Sequence, residues 1–268
     1  MGRPIDTCES CGFNPWREVV HLSKSKSPEF LSAYKKLKLL VVNNRFRPGE
    51  QLQACNLADR VVAGITPVRE ALIRLAAEDL ISCYPKRGYF AKVINSDELG
   101  ELYYLAHALL RSILLRGDGR CCVTIAKPDA TRTGTHSHRD PTALVLALEQ
   151  LHEQIAIMYG GAEAAKVIRS YNFRTHAVRK IYVDQTQTFE SVSDYVRTLV
   201  ALLEADQRET VVSKLTQHFE AKVAQVHMLV KEVTAQAFSR QQGDYRLETI
   251  AEMAKPLLGP PVFFTEQA

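Results

Sequence analysis

Four cations, Arg60, Arg69, Lys86 and Arg87, stand near one another in this sequence, with Thr66, Pro67 and Gly88 between and beside them. A guanidinium presents a planar fork that grips a guanine edge at two points or clamps a phosphate, and an ammonium neutralises a phosphate. A threonine hydroxyl reaches either kind of group. The chemistry these side chains offer is contact with double-stranded DNA, provided the fold sets them on one surface. For Arg69 a second reading stays open, an internal ion pair with a neighbouring carboxylate.

The elements that would position them follow from spacing. Thr66 has a side-chain oxygen able to cap a helix, and Pro67 follows where a missing N–H costs nothing, so a helix is predicted to start there. Val68, Leu72, Leu75 and Ala76 repeat at three- and four-residue spacing and turn Arg69 and Arg74 onto other faces. Leu57, Ala58 and Val61 predict a shorter helix before it, ending near Ala63-Gly64, where glycine permits the turn. Downstream, Ile81-Ser-Cys-Tyr84 and Tyr89-Phe-Ala-Lys-Val93 flank Pro85-Lys-Arg-Gly88, a hairpin whose tip carries two cations and whose glycine lets the backbone come close. Leu57–Leu80 therefore reads as two helices joined by a tight turn, with a wing behind them.

At 268 residues, 46% hydrophobic and 24% charged, the chain has a globular composition and room for two domains with separate cores. No apolar run approaches the roughly 20 residues that span a bilayer, and the N-terminus lacks a basic-then-apolar signal. The expectation is a cytoplasmic protein with no membrane partner and with its six cysteines reduced. Charge is uneven: residues 26–95 hold twelve Lys/Arg and six Asp/Glu, against a net charge of +4 overall, so the remainder sums to about −2. The basic excess coincides with the two-helix segment and wing, as phosphate binding requires.

Residues 1–25, with Cys8, Cys11 and Trp16 but no periodicity, read as an arm. Ser27 is expected to cap a helix from Pro28 with Phe30, Tyr34, Leu37 and Val41 on one face, ending near Asn43-Asn44. Asn95-Ser96-Asp97 offers capping residues before a helix from about Glu98 to Leu115. The stretch from Gly117 to Pro141 reads as a long loop. Helical periodicity resumes over Thr142–Tyr159, Ala162–Val183, Ser191–Ala205 and Asp206–Ala237, and a short helix is expected over Leu247–Met253 before a tail at 257–268. In the last long helix Leu215, Phe219, Val223, Val226, Val230 and Val233 make one stripe. The fold expected is mainly α: a winged helix-turn-helix over 26–95, then an all-α bundle over 96–256 whose interior can hold a ligand. No nucleophile, base and orienting residue stand at suggestive spacing, so no enzyme is expected.

Phe46-Arg-Pro-Gly-Glu-Gln-Leu52, Leu57-Ala-Asp-Arg60, Thr66-Pro-Val-Arg-Glu-Ala-Leu72, Leu75 and Lys86-Arg-Gly88 resemble, in order and spacing, the winged helix-turn-helix of GntR-type bacterial transcription regulators, over about residues 28–95. A small reader followed by a longer helical region is similar to the FadR-like branch with an FCD-type effector domain. The resemblance implies a homodimer on a pseudo-palindromic operator and a small-molecule effector in the helical domain, with repression the expected outcome. It places Thr66, Pro67 and Arg69 on the reading helix, Arg60 near backbone phosphate, and Lys86, Arg87 and Gly88 in the wing. Relatives usually read Ser-Arg-Thr-Pro where this chain has Gly64-Ile65-Thr66-Pro67. Ile65 has no donor and offers only an apolar contact, for instance to a thymine methyl, so the operator should differ from theirs.

The same resemblance implies a divalent metal inside the bundle, held by an Asp, a His four residues later and two further His. Alignment puts Leu148 on the Asp position, His152 on the first His, Tyr195 on the third ligand and His218 on the fourth. Two imidazoles alone make a poor zinc site, because three or more protein ligands are usual. The expectation is no bound cofactor, with a metal on His152 and His218 as the lesser alternative. Glu149 would serve as a ligand only if its helix turned by one residue. Ala106 and Leu110 stand where relatives carry Arg and Glu, so the pocket is expected to be more apolar and to suit a hydrophobic or aromatic effector. The alternative is a constitutive repressor whose helical domain only dimerises. His136 and His138 with Cys121-Cys122, and Cys8/Cys11 as a CxxC pair, invite a metal reading, but no second close pair follows Cys8/Cys11 within the next thirty residues as a structural zinc site would want, and Arg174, His176 and Arg179 read as a solvated cationic face.

Overall fold

A computed structural model describes residues 28–116 and 140–239. The chain runs α1 (Pro28–Val42), α2 (Ala54–Val61), α3 (Ile65–Ala77), β1 (Ile81–Tyr84), β2 (Gly88–Ala91), α4 (Ser96–Arg116), α5 (Pro141–Asp184), α6 (Thr186–Glu204), α7 (Arg208–Val223) and α8 (Val226–Ser239). The fold is mainly helical with one small antiparallel sheet after the helix-turn-helix, as expected. The arm, the Ser27 cap, the cysteine and histidine pairs, nearly all of the 117–141 loop, the 247–253 helix and the tail lie outside the described residues.

The first core is built from the predicted stripes. Phe30, Tyr34 and Leu37 of α1, Leu57 and Val61 of α2, and Val68, Leu72 and Leu75 of α3 are all buried together. Val41 is only half-buried, and Val42 takes the inward place at the end of α1. Two turn details correct the sequence reading. Helix α3 begins at Ile65 with Gly64 as its N-cap in extended backbone, and no side chain caps it. Thr66 is therefore a first-turn residue, exposed rather than capping. The left-handed residue that closes α2 is Val62 (φ 50, ψ 65), not Gly64. With Val61 buried, the chain must reverse at the next residue, and Gly64 comes two positions too late. A β-branched side chain is strained in that region.

In the wing Ile81 lies opposite Ala91 and Tyr84 opposite Gly88, with the turn between them. Gly88 has φ +94, a value that glycine alone takes without strain. Residues 50–52 extend the sheet: Leu52 N–H donates to Tyr89 O at 2.8 Å and Ala91 N–H to Glu50 O at 2.9 Å.

The second core lies among α4–α8 and includes Ala106, Leu110, Leu148, Ile168, Leu199, Leu215 and Phe219. Asn95 caps α4 by accepting from Asp97 N–H at 2.8 Å. Asp140 caps α5 through Thr142 and Ala143, a signal hidden at the end of the predicted loop. Gly161 (φ 77, ψ −171) breaks α5 sharply where two helices were expected to meet. The last helix expected over 206–237 is two helices. Helix α7 ends at Val223, which is exposed, and after Ala224-Gln225 the chain turns so that α8 packs on α5 and α4. Neither residue is a helix breaker, so the stripe concealed the break.

The two cores meet along α5. Leu146 joins the first core, and the Phe173 ring lies 3.8 Å from the Lys38 ammonium. Lys38 donates to Glu78 at 2.8 Å, and Glu78 also accepts from Tyr34 at 2.6 Å and Arg74 at 3.0 Å. Arg174 pairs with Asp79 at 2.9 Å and with Glu98, and Lys92 bridges the same two carboxylates at 2.8 Å each.

Candidate functional site

Helix α3 buries Val68, Ala71, Leu72 and Leu75 and so turns its opposite side outward. Ile65, Arg69 and Ile73, each four residues apart, share that outward face, with Ile65 46% and Ile73 58% exposed. Thr66 is exposed beside them and Pro67 is half-buried. Arg69 makes no hydrogen bond or ion pair with a described residue, so the internal-pair reading is not met. Arg74, by contrast, is committed to Glu78 and lies 4.6 Å from the Tyr34 ring. Arg60 is half-buried at the end of α2. At the wing tip Lys86 is exposed in a left-handed turn position (φ 63), while the Arg87 guanidinium lies 5.9 Å from both the Tyr84 and Phe90 rings. This surface offers apolar and guanidinium contacts from the helix and an ammonium from the wing.

Inside the bundle, the positions singled out by resemblance come together. His152 is fully buried on α5, one turn after the equally buried Leu148, and its Nε2 lies 3.5 Å from the Tyr195 hydroxyl of α6. Tyr195 stacks on His218 of α7 with ring centroids 4.0 Å apart, and His152 and His218 are 6.3 Å apart. Phe219 packs 5.7 Å from His152 and 6.0 Å from His218.

The surroundings are far more polar than expected. His176 and Arg179, read as a solvated face, are 2% and 0% exposed, because the face of α5 that carries Ile168, Tyr171 and Thr175 continues to Arg179. Only Arg174 of that trio reaches the surface, and it is paired. Glu149 accepts from His176 at 3.0 Å and from Arg179, which also donates to Thr175 at 2.8 Å. Glu149 is therefore committed to this pair. Burial works against its charge, but His176 and Arg179 outweigh burial and hold its carboxyl below the usual range. Glu153, bonded to Asn172 at 3.0 Å and Arg169 at 3.3 Å, is pushed up to about 7 by burial.

Lys222 was missed altogether. It is 1% exposed, and its Nζ has no hydrogen-bond partner among the described residues. The rings of Phe219, Tyr103 and Tyr182 surround it at 5.6, 5.8 and 6.0 Å. Burial, then Arg179, lowers its pKa well below that of an ordinary lysine. Burial first, and then Lys222, does the same to both His152 and His218. The signal was present in the sequence: Leu215, His218, Phe219 and Lys222 fall on one side of a helix, which puts a lysine on an apolar face.

These residues do not fit a bound divalent metal. Leu148 brings no donor, Glu149 is engaged elsewhere, and Arg179 and Lys222 bring cationic groups into the same interior. Among the described residues, no three His, Cys, Asp or Glu side chains group closely enough to hold a metal. No helix among them is long and apolar enough to cross a membrane.

Residues 31–90 match the sequence model of the family described as bacterial regulatory proteins, gntR family. The chain is 23% identical over 198 residues to the Nta operon transcriptional regulator of Aminobacter aminovorans, covering 72% of this chain and 94% of that protein. The transcriptional repressor GlaR of Escherichia coli is 33% identical over 73 residues, 27% of this chain and 33% of GlaR. Among solved structures, a GntR transcriptional regulator from Rhodococcus sp. RHA1 superposes with a TM-score of 0.56 at 18% identity, over 75% of this chain and 98% of that one. McbR/YncC of E. coli does so with a TM-score of 0.52, also at 18% identity, over 76% and 99%. At such identity these two establish a shared fold. The relatives are transcriptional regulators rather than enzymes, and the likeness to the gntR family lies in residues 31–90, which hold the helix-turn-helix and most of the wing.

Proposed function

We propose that this chain is a homodimeric, cytoplasmic transcription regulator, most simply a repressor, of the FadR-like kind with an FCD-type helical region. Residues 26–95 form the reader and residues 96–256 the dimerisation and effector unit, with 1–25 an arm and 257–268 a tail. Helix α3 enters the major groove of a pseudo-palindromic operator, Arg69 takes a guanine or a phosphate, and Thr66 and Ile65 meet neighbouring base edges. Arg60 reaches the backbone, and the wing brings Lys86 and Arg87 to the adjacent groove around Gly88. The observation that carries this reading is the outward face of α3, where Arg69 stands between two exposed isoleucines with no partner among the described residues. Dimerisation is supported by α4, whose Tyr104, Leu105 and Leu115 are 69%, 59% and 53% exposed on the side away from the bundle core. Control by an effector, rather than dimerisation alone, is supported by the buried polar cluster, which a purely structural bundle has no need to carry.

The test uses a duplex selected by the purified protein from a random pool. Arg69→Ala should weaken binding to that duplex by about 1–3 kcal/mol and relax preference at one position. Lys86→Ala should weaken all sequences alike and reduce the salt slope by about one. Unchanged binding by Arg69→Ala at fixed salt would mean that α3 is not the reading helix.

A further inference from the structure

Helix α3 opens with a side chain that can neither donate nor accept a hydrogen bond. Ile65 is its first residue and is 46% exposed, and Val62 in the preceding turn is 65% exposed. The entry to the helix is thus aliphatic on both sides of Gly64, and no side chain caps it. The surroundings are cationic: residues 26–95 carry twelve Lys/Arg against six Asp/Glu, and Arg69 lies one turn after Ile65 on the same outward face. Charge therefore selects a polyanion for this face, and Ile65 has to meet whatever that polyanion offers an aliphatic group.

On the floor of the DNA major groove one base alone offers such a group, thymine with its 5-methyl; guanine, adenine and cytosine present only acceptors and donors there. Against any of those three, Ile65 would strip water from a polar edge and return no hydrogen bond. Against a methyl it buries carbon on carbon. We propose that Ile65 makes the reader a detector of pyrimidine 5-methyl groups. Each half-site then carries a thymine that a 5-methylcytosine can stand in for, so the reader also responds to C5 methylation of cytosine at that step. This depends on α3 being the reading helix, and it adds which chemical feature of the duplex that helix selects. The position follows from geometry. Four helical residues advance roughly 6 Å and base pairs stack roughly 3.4 Å apart, which puts the methyl about two steps from the group that Arg69 takes. Thr66 is the rival, since its hydroxyl serves any base edge and its own methyl could meet that of thymine.

The experiment starts from a duplex that the purified full chain selects from a random pool. Affinity is measured at fixed salt after thymines are replaced singly by deoxyuridine, which removes only the methyl. One thymine in each half-site should be sensitive, its loss weakening binding about fourfold, the worth of one buried carbon. At that step 5-methylcytosine paired with guanine should bind about fourfold more tightly than cytosine paired with guanine. Ile65→Ser should abolish both methyl effects. Thr66→Ser, which keeps the hydroxyl and removes the competing methyl, should leave both in place. Ile65→Arg, a second variant should Ile65→Ser fold poorly, should select guanine at the same step when the pool is offered again. Tolerance of deoxyuridine at every thymine overturns the proposal. So does a methyl effect that persists in Ile65→Ser, one that is lost in Thr66→Ser, or selection of thymine at that step by Ile65→Arg. A wild-type protein that selects no duplex at all sinks the regulator reading instead, whereas a selected duplex indifferent to its methyl groups sinks only the role given to Ile65.

Discussion

Glu78 is a single carboxylate that accepts from Tyr34, Lys38 and Arg74, two of them cations, at the end of the reading helix. Burial tends to raise its pKa, yet Lys38, Tyr34 and Arg74 together hold it below the usual carboxylate range. A group whose folded pKa is depressed contributes stability that is present above its unfolded value and lost as pH falls through the folded one. Glu78→Gln leaves Lys38, only 3% exposed, without its counter-charge. We expect a loss of about 2–4 kcal/mol at pH 7, measured by urea unfolding. The gap from wild type should narrow steadily below about pH 4.5, where the unfolded chain's Glu78 begins to take up a proton that the folded carboxylate accepts only at lower pH. A gap of constant size down to pH 3 would show that the charge of Glu78 is not what holds Lys38. The inward place of Lys38 was legible, since it lies four residues after Tyr34 on the buried face of α1. Its partner was not, because 40 residues separate Lys38 from Glu78 and no local pattern links them. The same contrast holds in the bundle: the His152, Tyr195 and His218 meeting was legible by resemblance, while Arg179 read as a solvated charge and Lys222 carried no signal beyond its place on an apolar face, because charged side chains ordinarily stay in water.

Among the elements, the turn between α2 and α3 carries the clearest strain. Val62 holds φ 50 and ψ 65 with its side chain 65% exposed, so its methyls contribute little packing to offset a conformation that disfavours them. Val62→Gly should therefore raise stability by about 0.5–1 kcal/mol, the relief of left-handed strain less the extra freedom of the unfolded chain. Chemical denaturation of the two proteins would test this, and a less stable Val62→Gly would mean that the turn needs the valine side chain. Helix periods and the alternating strands fixed the order of α1 to β2 from sequence, because each element buries one face. The sequence misplaced where left-handedness falls, since it looked for glycine where the chain had used valine. It also missed the break between α7 and α8, which tertiary packing imposes on residues willing to stay helical.

In the whole molecule, the reader and the bundle are tied through Lys92, Asp79, Arg174 and Glu98, four charges in one network. Arg174→Ala removes the member contributed by α5. Because the network is partly exposed, the expected cost is about 1 kcal/mol, seen as a roughly fivefold rise in amide exchange across residues 92–98 with the α4–α8 core unchanged. Exchange rising equally throughout would indicate a contribution to global stability instead, and no rise would mean that the network does not hold the two units. Neither unit's own pattern reveals this tie, because it joins residues that look like ordinary surface charges until the cores are placed side by side. It also bears on building sensors by exchanging readers between such regulators. Asn172, Phe173 and Arg174 face the buried cluster on one side and Lys38, Glu78 and Asp79 on the other. A hybrid cut in the connector after the wing would separate those two sets. To keep an inherited response, a transplanted reader would have to arrive with Lys38, Glu78 and Asp79 matched to the Phe173-Arg174 pair it is to rest on.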